Sequence, residues 1–307
     1  MRWRNKILLA KIEGTYGEDA APTGAANAIL ATDVELKPME GQDVSRELER
    51  PYLGAQPTVA TDLHQVLSFK VEYAPSGTPG MAPAWGALLR ACACAEVVVA
   101  DTSVTYNPIS DDPESATIHI WIDAIRFVLA GARGTAKLTA TASGIPQIEF
   151  VFTALRIAPD AAARPAPDLS AWQRPQGFSN ANSALSLAGA SRVMRSFSLD
   201  LANQVEGRFL VGREDIRITD RADKIETTIE AVPLTDWDPY AAAETGAPVP
   251  LTLTHGQAAG SIATLAVPRA QVQRPSAFAQ AQDVVEWPLA LIPLPDAGND
   301  QWTLTLT

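Results

Sequence analysis

Apolar and polar residues alternate with a period of two in many stretches, among them "DVELKP" (Asp33 to Pro38), "LSFKVEY" (Leu67 to Tyr73), "SFSLDLAN" (Ser196 to Asn203) and "KIETTIEAV" (Lys224 to Val232). That period is the mark of a strand with one buried face. In "ATIHIWID" Ile118, Ile120 and Ile122 fall on one side, the expected core. His119, Trp121 and Asp123 fall on the other, a mixed surface for solvent or a partner. The stretch "GARGTAKLTATASGIPQIEFVFTAL" (Gly131 to Leu155) reads as two strands around a short turn. Its second strand places Ile148, Phe150 and Phe152 on one face and Val151 and Leu155 on the other, so it is expected to be covered on both. Helical patterns are few. One is "PAWGALLRACACAE" (Pro83 to Glu96); the other is "DWDPYAAAETG" (Asp236 to Gly246), where Asp236 or Asp238 caps and Gly246 stops. The fold class is mainly β, with antiparallel sheets in a sandwich or partly closed barrel.

The elements recur in order. Residues 158–183, "APDAAARPAPDLSAWQRPQGFSNANS", carry Pro159, Pro165, Pro167 and Pro175 and read as an extended connection, anchored by Leu169 and Trp172. On either side comes a strand, a polar connection (Met39 to Gln65; Gln204 to Asp223), a second strand, a helix and closing strands. The expected organisation is an arm at residues 1–30, a β domain at 31–157, the linker at 158–183 and a second β domain at 184–307. A tandem duplication explains this order.

Composition narrows the function. The 307 residues hold 35 acids against 24 lysines and arginines, a net charge of −11. A chain that grips nucleic acid needs clustered cations instead. The basic start is followed by an apolar run of only Ile7 to Ala10, short of the ~7–15 residues of a signal region. No run approaches the ~18–20 apolar residues of a membrane span. Cys92 and Cys94 lie in a helical-looking segment and read as small buried hydrophobes. With His64, His119 and His255 scattered, no metal-ligand spacing forms. "GARG" lacks the lysine and spacing of a phosphate loop, and neither GxSxG nor HExxH occurs. Asp111–Asp112 reads as a turn, and "REDIRITDRADK" (Arg213 to Lys224) as an exposed loop or hairpin. No catalytic residue, metal site or cofactor is assigned.

The segments "KILLAKIEGTYGEDAAPTGAANAILATDVELKPMEGQDVSRELERPYLGAQP", "APAWGALLRACACAE", "TSVTYNPISD", "GARGTAKLTATASGIPQIEFVFTAL", "APDLSAW" and "DLANQVEGRFLVGREDIRITDR" together cover most of the chain. Through them it resembles the major tail tube proteins of long-tailed, siphophage-type bacteriophages. The resemblance implies a structural protein, not an enzyme. It implies stacked rings around a channel, a continuous inner β-barrel, outer helices, and arms that tie ring to ring. Three chains with two copies of the fold each make a pseudo-sixfold ring; a hexamer is the alternative. Implied partners are other copies of the chain, a tape measure protein, a tail terminator, distal tail proteins, and viral DNA that passes without specific binding. No membrane is involved. The implied place is the virion tail, assembled in the host cytoplasm. Glu72, Asp123, Glu149 and Glu230 are then candidates to line the lumen. Phe150, Val151, Phe152 and Trp121 are candidates for strand contacts between subunits. The segment Met1 to Leu30 is expected to order only on a neighbour. Other readings are a tail terminator, baseplate or decoration subunit, or a β-rich hydrolase.

Overall fold

The structure, a computed structural model, describes residues 2–307. One hydrogen-bonded path runs through eight antiparallel strands: Ala31–Ser45, Thr58–Glu72, Gln147–Arg156, Ile125–Thr141, Met194–Asp200, Lys224–Glu230, Val284–Pro293 and Ala279–Ala281. A second set packs over it, built from Cys94–Val99, Ser103–Pro108, Thr303–Leu306, Ala263–Val272, Val249–His255, Ser183–Leu187 and Ala190–Arg192. Here the closing strand Thr303–Leu306 lies between Ser103–Pro108 and Ala263–Val272 and joins them. Between the layers, one hydrophobic cluster extends from Phe69, Phe150 and Phe152 to Phe197, Leu289 and Trp302. The first three rings stack at 5.8–6.0 Å. Trp85 lies between Tyr73 and Tyr106 and donates its indole N–H to the Ala74 carbonyl at 2.8 Å.

The alternation allows a sandwich or a partly closed barrel. No closed barrel forms, and among the described residues every strand except the hairpin Asn203–Leu210/Arg213–Arg221 belongs to one hydrogen-bonded network. The strand Ile125–Thr141 makes this continuity possible. Its early residues pair with Ala116–Ile122, and Lys137 to Thr141 pair with Met194–Asp200. It changes partners across a register shift between Ala130 and Arg133. Gly131 sits there at φ 60°, and a Cβ would come within 2.8 Å of the Tyr16 ring. Only glycine meets both demands at low cost.

Three further expectations change. The helix expected over Pro83 to Glu96 contracts to Gly86–Arg90, and Cys94–Val99 is a strand, consistent with its run of three β-branched valines. The other helix, Pro239–Thr245, is capped by Asp238, which accepts from the Tyr240 and Ala241 N–H groups, and ends at left-handed Gly246. The strand Ala116–Ile122 is buried on both faces rather than one. Its partner is Lys6–Ile12, paired from Lys6↔Ile122 to Ile12↔Ala116. Ile7, Leu9, Ala28 and Trp121 form a small second core, with Leu169 against it. The N-terminal strand Lys6–Ile12 is therefore paired into the subunit's own sheet. Residues 158–183 strap this side: Trp172 donates to the Ala28 carbonyl, and Asp168 N–H to that of Gly24.

Both polar connections form hairpins, the second as one of the two forms its charge alternation allows. Ala31–Ser45 is mostly exposed, and the hairpin's outer ends, Gly41 to Ser45 and Thr58 to Ala60, are exposed throughout, whereas Thr58–Glu72 buries one face from Gln65 onward. The hairpin Asn203–Leu210/Arg213–Arg221 leans on residues from the first half of the chain. Arg133 donates to the carbonyls of Ile216 (2.8 Å) and Pro113 (2.7 Å) and lies over the Tyr16 ring, whose hydroxyl accepts from Ile216 N–H. Asn203 donates to the Cys92 and Gly134 carbonyls, and Arg221 to that of Ala93. Asp215, almost fully buried, is held between Arg213 and Arg217 at 3.1 and 2.7 Å. His64 stacks on Phe209 at 5.7 Å, tying the two hairpins together.

Leu9 is completely buried, so Leu9→Ala should cost about 2–5 kcal/mol in denaturant unfolding. A loss below about 0.5 kcal/mol would mean that this strand is peripheral. At the foot of the second hairpin, burial pushes the Asp223 carboxyl up to about 6. The folded state thus holds this proton more tightly than the unfolded chain. The stability it confers is complete below the ordinary value of 3.8 and is lost as pH rises through about 6. Asp223→Asn should raise stability at neutral pH by at most about 3 kcal/mol and flatten its pH profile between about 4 and 6. An unchanged profile would show that Asp223 is solvated.

Candidate assembly surface

The eight-strand path has two unlike faces, because side chains alternate across each strand. Leu67, Phe69 and Val71, Ile148, Phe150 and Phe152, and Ile225 and Ile229 point into the core. The opposite face carries Ser68, Lys70 and Glu72, Glu149 and Val151, Lys137 and Thr139, Ser196, Ser198 and Asp200, and Glu226, Thr228 and Glu230. It is rich in Ser, Thr and charge over five of the strands, carries Val151 among them, and turns apolar at Val284–Pro293, where Pro288 and Ala290 stand opposite Thr228 and Glu226. A shallow open groove of ≈ 470 Å³ follows it where Lys137, Thr139 and Thr141 meet Ser196, Ser198, Glu226 and Thr228.

Charges on this face are arranged across strands. Glu149 stands opposite Lys70 on one neighbour and Lys137 on the other. Lys137 reaches Asp200 at 3.7 Å, and Lys70 reaches Asp33 at 3.1 Å; the latter contact, with Glu149 nearby, raises the Lys70 pKa. Glu286 is held by the Arg195 guanidinium, whose hydrogen bonds keep its carboxyl below the usual range. Glu72 and Glu230 form no salt bridge among the described residues, and acids outnumber bases on the face. Exposed pairs of this kind contribute little stability, so their effect lies in the field they set up.

Of the four acids singled out from sequence, the structure places Glu72, Glu149 and Glu230 on this one face. Asp123 is elsewhere. It occupies the turn between Ala116–Ile122 and Ile125–Thr141 at φ 57°, with its N–H on the Asn5 carbonyl. The proposed contact residues also separate. Phe150 and Phe152 are fully buried in the subunit's own core, and Trp121 is in the small core beneath Lys6–Ile12. None of the three has surface to offer a neighbour, because the layers of their own chain already cover them. Val151 alone lies on the polar face, half-buried. The residues that sequence reading passed over are Arg133, Asn203 and Arg221, which fix the second hairpin. The alternating signs of "REDIRITDR" were the visible trace of that site, but their partners are the remote carbonyls of Cys92, Ala93 and Pro113.

Candidate chemistry is sparse. His119 is buried against Asp19 at 2.9 Å and Trp121; burial lowers its pKa against the pull of Asp19. His255 contacts the Ser183 hydroxyl at 2.9 Å, but Phe178 stacks over the ring at 4.9 Å and the adjoining space is only ≈ 10 Å³. Both cysteines are free and buried; burial pushes the Cys94 thiol up to about 12 and raises that of Cys92. Asp111 and Asp112 lie in an exposed bend. Among the described residues no helix is long and apolar enough to cross a membrane.

No curated protein matches the chain. A family model described as phage tail tube protein matches residues 3–294. That match takes in the polar-faced sheet, both hairpins and the strap between them, and it makes this a structural virion protein: the chain belongs to the phage tail tube protein family.

Proposed function

We propose that this chain is a ring-forming tail tube subunit in which residues 31–157 and 184–307 are tandem copies of one fold, bridged by 158–183. Three chains close a ring. Their joined sheets make an inner barrel, and the polar face lines a conduit through which DNA passes from capsid to host. The observation that carries this reading is the joint between Lys137–Thr141 and Met194–Asp200. There, strands from the first copy and the second already form one sheet with a single polar face.

Magnitudes favour three chains. Eight strands per chain, spaced about 4.8 Å and tilted about 40°, close at a backbone diameter of about 32 Å for two copies, about 48 Å for three and about 95 Å for six. Two leave too little room for a duplex once side chains fill the wall; six leave a bore far wider than a duplex needs. The excess of acid on the lining face repels phosphates, so DNA slides without a site to hold it. Closure also removes the open sheet edges that would otherwise invite aggregation. Ring stacking is a head-to-tail contact and propagates a filament. The two hairpins serve it, with Leu53 and Val211 fully exposed at their tips. Tape measure, terminator and distal tail proteins meet the ends of such a tube in the virion tail, after assembly in the host cytoplasm.

Native mass spectrometry and negative-stain microscopy of concentrated protein should show trimers and tubes of uniform bore. Rings that never stack would point to a terminator or baseplate role instead. Particles that stay monomeric at high concentration would contradict the reading.

A further inference from the structure

The eight-strand path ends in two unfilled edges. Among the described residues, Ala31–Ser45 at one end pairs only with Thr58–Glu72; at the other Ala279–Ala281 pairs only with Val284–Pro293, whose last residues pair on that same edge with Ala270 to Val272. We infer that these edges join between chains in the register of the internal joint, setting Glu35 of one copy opposite Ala279 of the next, Val34 opposite Gln280 and Leu36 opposite Phe278. The inference rests on the ring reading above and adds which backbone atoms close it.

The register follows from counting along the ladders. In the internal joint Thr139 faces Ser198, Ala140 faces Phe197, and Leu138 faces Leu199. Thr139 belongs to a hairpin in which it faces Gln147, which in turn faces Glu72. Ala279 belongs to a hairpin in which it faces Glu286, which faces Glu230. Ala279 therefore occupies the place of Thr139. On the other side, Leu199 faces Ile225 and Leu36 faces Leu67, with Ser198 and Glu35 each one step earlier opposite Glu226 and Ser68. Ile225 lies five residues before Glu230, and Leu67 five before Glu72, so Leu36 takes the place of Leu199 and Glu35 that of Ser198.

Burial supports the same pairing. Leu199 is 5% exposed within the internal joint, and Leu138 packs against the core beside it. Phe278, in the place of Leu138, is 68% exposed, with the Tyr240 ring centroid 6.4 Å away. Leu36 is only partly buried at the opposite edge. Each edge thus presents half of an apolar contact that the internal joint completes. Meanwhile Lys6 donates its ammonium to the Val34 carbonyl at 2.8 Å. Lys6 comes from the neighbouring strand Lys6–Ile12, so its ammonium covers one carbonyl of the open edge, and pairing with Gln280 displaces it.

The test is cysteine cross-linking of the full-length chain. Directly opposed antiparallel residues stand about 4.5–5.5 Å apart at Cα, within disulfide range. Glu35→Cys combined with Ala279→Cys, oxidised under assembly conditions, should give covalent dimers and trimers and nothing larger. Glu35→Cys with Gln280→Cys, whose side chains lie on opposite faces, should cross-link at least tenfold less. Phe278→Asp should leave the monomer's unfolding midpoint unchanged and lower ring formation at least tenfold. Rings that form normally but cross-link at another register, or not at all, overturn this joint and leave the tube reading standing. So does a Phe278→Asp variant that assembles like the parent. Absence of rings from the unmodified protein overturns both.

Discussion

The backbone hydrogen bonds between Lys137–Thr141 and Met194–Asp200 are the contact on which the rest of the molecule depends. A strand edge left open carries a row of unsatisfied donors and acceptors, and here one such edge is satisfied by the other part of the same chain. That requires one strand to serve two sheets. Ile125–Thr141 does so by turning at Gly131, where Tyr16 closes over the bend. Next to it, Gly134 approaches the Val151 carbonyl so closely that a Cβ would stand 2.4 Å away. Asn203 then binds the Gly134 carbonyl from the far side. The small residues of "GARGTAKLTA" are therefore explained by crowding around this bend and joint.

Given that joint, the polar and apolar faces of both parts fall into register, and one core forms behind them. The aromatic stack of Phe69, Phe150 and Phe152 holds one end, and Trp287, Leu289 and Leu291 the other. The face in front is left with serine, threonine and cross-strand charge pairs. Its lysines Lys70 and Lys137 are already engaged by carboxylates, which in the proposed tube leaves no free cation of theirs to hold a phosphate. The acidity of the chain, ambiguous from composition alone, acquires a location.

Much of this was legible before any coordinates. Alternation in "LSFKVEY", "PQIEFVF" and "KIETTIEAV" placed strands and their inner faces, because each strand carries its own period. What failed was whatever depended on a distant partner. "ATIHIWID" looked half-exposed because its cover, Lys6–Ile12, lies far upstream in the chain. The polar stretch after Pro38 reads as a loop because a hairpin held by a backbone ladder shows little apolar period, whereas the alternating charges of "REDIRITDRADK" leave a loop or a hairpin open, and a hairpin forms. Alanines and cysteines at 91–95 read as helix, although the valines that follow take the chain into a strand. From sequence Phe150 and Phe152 are candidates for an interface, because a strand apolar on both faces invites a partner. That partner proved to be the chain's own layers, and only Val151 lies on the other side. Among the acids, parity along the strands separates Glu72, Glu149 and Glu230 from Asp123, which a turn removes from the face.

The central claim is that the polar face of the joined sheet lines the bore of a closed ring. A cryo-microscopy reconstruction of assembled tubes tests it most directly. The account predicts about 24 inner strands, with Lys137, Glu149, Asp200 and Glu226 pointing into the channel and Phe150 behind them. A wall in which that face is turned outward, or buried between rings, would contradict it.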